Sequence, residues 1–138
     1  MGFSSGRHYW EIRLEMYCSE QDVFAGVCPR QRSESLVELN DVFGWICTFD
    51  KKLSRTEGKH YVMERYGDYG QIGDVIGVLL EFNKEGLATI SFYKNGRSFG
   101  PCYERMPAQT YYPCVALASP GQDVIISLDS KAKVPPRK

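Results

Sequence analysis

Hydrophobic and polar residues alternate with a period of two along most of this chain. In residues 9–16, Trp10, Ile12, Leu14 and Met16 fall on one face, and Glu11, Arg13 and Glu15 on the other. Successive side chains of an extended chain point to opposite sides, so this segment predicts a strand with one buried face. Residues 22–28 predict a second strand, in which Ala25 and Gly26 allow close packing. Residues 42–49 predict a third, which carries Trp45. Residues 74–82 are nearly all apolar, the pattern of a central strand covered on both faces. Residues 87–94 form its return strand after the turn residues Asn83-Lys84-Glu85-Gly86, and Asn95-Gly96 is a strong hairpin signal leading to a short strand over 97–100. Residues 111–118 and 123–128 complete about eight strands, separated by the turn Ser119-Pro120-Gly121-Gln122.

No segment carries a sustained helical period; one short helical turn is expected around residues 103–106. Many short strands with turn signals between them imply an all-β fold, a sandwich or barrel of antiparallel sheets. Residues 29–40 and 51–72 are polar, charged and without period, and predict two long loops. Long loops in a compact domain usually carry function.

The 138 residues favour one domain able to build its own core. Residues 1–5 are expected to be a leader, 6–130 the domain and 131–138 a basic linker with Lys131, Lys133, Arg137 and Lys138. Seventeen basic residues balance seventeen acidic ones, so the body of the chain lacks the basic footprint of nucleic-acid binding. No apolar run approaches the length of a membrane helix. The five cysteines, Cys18, Cys28, Cys47, Cys102 and Cys114, are odd in number, widely spaced and form no C-x-x-C. That argues against a disulfide framework and structural zinc, and for a reducing, cytoplasmic setting.

Catalytic constellations are missing. The two histidines, His8 and His60, have no metal-ligand spacing, and no G-x-S-x-G elbow occurs. Cys28 and Cys47 lie inside predicted strands without a neighbouring histidine. Gly67, Gly70, Gly73 and Gly77 fit neither phosphate-binding motif, and Glu11 and Glu15 share a solvated strand face. No enzyme activity, metal or cofactor is expected.

Six segments in order resemble the signatures of the SPRY domain family. They are Gly6-Arg7-His8-Tyr9-Trp10-Glu11, Ala25-Gly26-Val27-Cys28, Phe43-Gly44-Trp45, Gly73-Asp74-Val75-Ile76-Gly77, Ile90-Ser91-Phe92-Tyr93-Lys94-Asn95-Gly96 and Tyr112-Pro113-Cys114-Val115-Ala116-Leu117. The resemblance implies a bent antiparallel β-sandwich of two sheets. It also implies a non-catalytic protein-interaction module, often part of a larger ubiquitin-ligase, scaffold or channel protein. The adaptor subgroup that binds short Asn-rich peptides carries an aromatic at two loop positions. Here the matching places hold Ser54 or Arg55, and Ser119-Pro120-Gly121, so the resemblance does not extend to that peptide class.

Strand residues are committed to packing, and Trp10, Ile12, Leu14, Trp45, Ile76, Ile90, Phe92, Val115 and Ile126 are the expected core. Family topology implies that the segments after Cys28, Phe49 and Ala118 approach one edge and bind a protein or short peptide. The expected contacts are Arg30, Arg32, Leu53, Arg55, Tyr66, Tyr69, Ser119, Pro120 and Gln122, since Arg and Tyr combine apolar area with directional hydrogen bonds. The isolated domain is expected to be a monomer. Two other readings stay open: a structural domain docking within its own parent protein, and a small-ligand or glycan-binding sandwich.

Overall fold

The computed structural model describes residues 2–16, 23–29, 42–46, 51–55, 61–67, 73–117 and 125–129. It contains two five-stranded antiparallel sheets. Sheet one has the order β10 (Ile125–Asp129), β1 (Arg7–Met16), β6 (Val75–Phe82), β7 (Ala88–Lys94), β8 (Arg97–Met106). Sheet two has the order β5 (Tyr61–Arg65), β4 (Lys51–Arg55), β3 (Val42–Ile46), β2 (Val23–Cys28), β9 (Tyr112–Leu117).

Register decides which residues meet between the sheets, because directly paired residues share a face. Trp10 pairs with Val78 and Val78 with Phe92, while Ile12 pairs with Ile76 and Leu80 with Ile90. In sheet two, Ala25 pairs with Trp45 and Val27 with Phe43. These two rows face each other, and Trp10, Ile12, Trp45, Ile76, Ile90 and Phe92 are all buried in one cluster with Cys102, Met106 and Tyr111. Leu14 pairs with Ile126 and Val115 with Ala25.

β6 is the middle strand of sheet one and is buried along five consecutive residues. Its outward residues are covered as well, as the sequence pattern predicted: Leu79 is 4% exposed, and Gly77 lies beneath the Tyr9 ring. A Cβ at Gly77 would run into the Tyr9 hydroxyl. The two predicted turns also form. Asn83 accepts hydrogen bonds from the Glu85 and Leu87 amides through Oδ1, at 2.9 and 3.0 Å. Asn95 and Gly96 take φ of 51° and 84°, the positive pair that a two-residue hairpin of primed type requires.

Three expectations need correction. Residues 51–72 are not one long loop: β4 and β5 pair over five residues each, from Lys51–Arg65 to Arg55–Tyr61. Their charges hid the alternation, since strands near a sheet edge carry polar residues without cost. Residues 103–106 are not helical, because β8 runs from Arg97 through Met106. Its regularity is broken by register shifts against β7 and by positive φ at Gly100 and Arg105, which obscures the period. Thirdly, Phe3 belongs to the fold. It exchanges two backbone hydrogen bonds with Tyr111, both 2.8 Å, stacks on His8 at 3.8 Å and packs against the core.

Candidate interaction surface

The ladders of sheet two assign each connecting segment to an end of the sandwich. At one end Cys28 pairs with Tyr112, and Arg55 lies in register between Val42 and Tyr61. At the other end Val23 pairs with Leu117, and Lys51 lies between Ile46 and Arg65. The residues that follow β2 and those that join β4 to β5 therefore leave from the first end. The residues that follow β9 leave from the second. The segments after Cys28 and after Ala118, expected along one edge, start at opposite ends because β2 and β9 run antiparallel.

Arg30, Arg32, Tyr69, Ser119, Pro120 and Gln122 lie outside the described residues. Leu53 and Arg55 are strand residues rather than loop residues. Leu53 sits in mid-sheet between Gly44 and Met63, and Arg55 closes β4 at the first end.

Tyr66 is half-buried. It follows β5 and inserts its ring beside Trp45, Phe92 and Phe99, with centroids 5.9, 6.0 and 6.0 Å away. Its hydroxyl accepts a hydrogen bond from the Phe92 amide at 3.2 Å and donates to the Gly100 carbonyl. Phe92 is on β7 and Gly100 on β8, where the register slips between Ser91 and Tyr93. The phenol thus fills a break in the β7–β8 ladder from the opposite sheet, satisfying two backbone groups that burial would otherwise leave costly. Burial pushes the Tyr66 hydroxyl well above the ordinary tyrosine range. Gly67, at φ +69°, lets the chain turn against the Trp45 indole, where a Cβ would sit 2.9 Å from the ring.

The sequence did not single out the outward face of sheet one, yet it carries an ordered polar group. Tyr9 meets Tyr93 edge to face at 5.7 Å and donates a 2.7 Å hydrogen bond to Glu11 Oε2. Burial, then the hydrogen bond and charge of Glu11, raise the Tyr9 hydroxyl above its usual range. Both Tyr9 and Tyr66 are thus held neutral, with folded-state values above those of the unfolded chain. Their stabilisation is complete below about pH 10, the unfolded tyrosine value, and is lost as pH rises through and beyond it. Thermal unfolding followed from neutral to strongly alkaline pH should show this loss, and Tyr9→Phe should make it shallower. An identical alkaline slope in Tyr9→Phe would exclude Tyr9 as a source.

Among the described residues, no group of three or more His, Cys, Asp or Glu is gathered to hold a metal ion. Cys28, Cys102 and Cys114 are buried thiols, and Cys102 Sγ lies 3.6 Å from the Gly44 carbonyl oxygen. Against this fold, the family profile for the SPRY domain matches residues 7–131. The chain belongs to the SPRY domain family.

Two solved structures share its architecture. The SPRY domain of human HERC1 superposes with a TM-score of 0.70 at 19% identity, over 96% of this chain and 80% of that one. A second human SPRY domain gives 0.68 at 22% identity, over 91% and 78%. In sequence the SPRY chain is 28% identical over 118 residues to the E3 ubiquitin-protein ligase TRIM9 of Drosophila melanogaster. That match takes in 85% of this chain but 15% of the relative. SPRY domains are generally non-catalytic modules that bind proteins or peptides. Among the described residues no helix is long and apolar enough to cross a membrane.

Proposed function

We propose that this SPRY domain is a non-catalytic recognition module that binds a protein or peptide carrying carboxylates, at the end of sheet two where Cys28, Val42, Arg55 and Tyr61 meet. The observation that carries this reading is the register. Arg55 stands between Val42 and Tyr61, on the same end from which the segment with Arg30 and Arg32 departs. Arginine suits bidentate recognition of acidic side chains, and Arg30 and Arg32 follow β2 in sequence. A net charge of zero favours such a local contact over general attraction to nucleic acid. The TRIM9 relative supports a place within a larger ubiquitin-ligase-type protein, where the domain would select the partner.

β5 and β9, which Tyr69 and Ser119 follow in sequence, finish at the other end of sheet two, at Arg65 and Leu117, which makes the two ends separable by mutation. Partners captured by this chain and identified by mass spectrometry should be lost from Arg55→Glu, with a cost of about 2 kcal/mol or more if Arg55 is a hot spot. Tyr69→Ala should keep them, and both variants should melt as the parent does. Loss in Tyr69→Ala with retention in Arg55→Glu would move the site to the opposite end. Loss in neither would favour docking within the parent protein.

A further inference from the structure

We infer that Asn95 is a site of spontaneous deamidation and that its conversion unlatches one end of sheet one. Asn95 and Gly96 are both exposed, at the tip of the β7–β8 hairpin. The reaction needs the backbone nitrogen of the following residue to attack the asparagine Cγ. Glycine is the residue that shields this nitrogen least, and among the described residues no atom beyond its two chain neighbours lies within 4 Å of the position a Cβ on Gly96 would take.

The electrophile is also prepared. Asn95 Oδ1 accepts a 2.9 Å hydrogen bond from the Val75 amide. Negative charge develops on that oxygen as the amide carbon becomes tetrahedral, so the fixed N–H acts there as an oxyanion donor. The Gly96 nitrogen forms a bond to Cγ and gives up its proton, the Cγ–Nδ2 bond breaks, and ammonia departs with a proton gained from solvent. Water then opens the succinimide at either carbonyl, giving aspartate or isoaspartate. Water is the sole co-reactant, and no oxidant or reductant is required.

The consequence follows from what the amide holds. Asn95 Nδ2 donates a 2.9 Å hydrogen bond to Asp74 Oδ1, and the Asn95 backbone amide donates to the Val75 carbonyl at 2.8 Å. The side chain and backbone of one residue thus latch the β7–β8 turn onto the start of β6. Deamidation replaces the Nδ2–H donor by a second carboxylate facing Asp74, turning an attraction into a like-charge contact. The isoaspartyl product also lengthens the backbone within a turn that depends on positive φ at both central residues.

The test incubates the intact chain at body temperature and mildly alkaline pH beside a synthetic peptide of residues 93–98. Peptide mapping by mass spectrometry then follows the one-dalton gain. The folded chain should react at Asn95 at a rate within about tenfold of the free peptide, because the oxyanion donor offsets the restraint of the turn. Reacted chain, separated by ion exchange, should show faster hydrogen exchange at the Val75 amide and a lower melting temperature than unreacted chain. A folded chain that stays unmodified while the peptide reacts to completion overturns the site. A modified chain with unchanged Val75 exchange and melting overturns the latch.

Discussion

Trp45→Ala is expected to destabilise the domain by about 3–5 kcal/mol, a large share of the stability of a domain this size. Trp45 is completely buried and stands where the two sheets meet. Its ring lies 5.7 Å from Phe92, 5.4 Å from Phe99 and 5.9 Å from Tyr66, so one side chain joins β3 to β7, β8 and the chain after β5. Removing it leaves a cavity whose walls are hydrogen-bonded strands, which cannot close in upon the space. One detail modifies the series: the Trp45 Nε1 is buried and has no hydrogen-bond partner among the described residues. Trp45→Phe discards that unsatisfied donor together with part of the indole, and should cost much less than Trp45→Ala. Urea unfolding of the three proteins measures both steps. A loss below about 1 kcal/mol in Trp45→Ala would mean that the sheets can repack, against the rigidity expected of a close-packed interior.

Tyr66 is the second position of large effect. Tyr66→Phe keeps the ring but strands the Phe92 amide and the Gly100 carbonyl, for an expected cost of about 1–3 kcal/mol. Tyr66→Ala also removes the contacts with Trp45, Phe92 and Phe99, which should raise the cost to about 3–5 kcal/mol. Hydrogen exchange separates the two contributions: the Phe92 amide should lose protection in both variants, and the core amides of β6 chiefly in Tyr66→Ala. Partner binding by folded Tyr66→Phe should match the parent. A selective loss of affinity at unchanged stability would return Tyr66 to the recognition surface.

Much of the fold was legible in the sequence wherever one strand face is apolar and the other polar. β1, β6 and β7 satisfy that condition or, like β6, are apolar throughout, and their turns carry asparagine and glycine at the positions that need them. β4 and β5 failed it, because Lys-Lys-Leu-Ser-Arg and Tyr-Val-Met-Glu-Arg hold too few apolar residues for a period to stand out. Pairing between the two strands, a non-local property, is what makes them a hairpin. β8 was truncated for a different reason: Gly100, Pro101 and the shifts against β7 interrupt its alternation. The site was less legible than the fold. A tyrosine beside glycines is as compatible with a recognition loop as with a plug beneath a sheet, and only the position of Phe92 and Gly100 distinguishes them. Likewise, whether two segments share an end depends on strand direction, which no local motif encodes.

The irregular β8 has a consequence for the molecule in company. It is the outermost strand of its sheet among the described residues. It contains Pro101, which has no amide hydrogen, and φ turns positive at Gly100 and Arg105. A second chain arriving alongside would find no continuous row of donors and acceptors to copy. On that flank, crowding many copies together should give separate particles in solution instead of filaments.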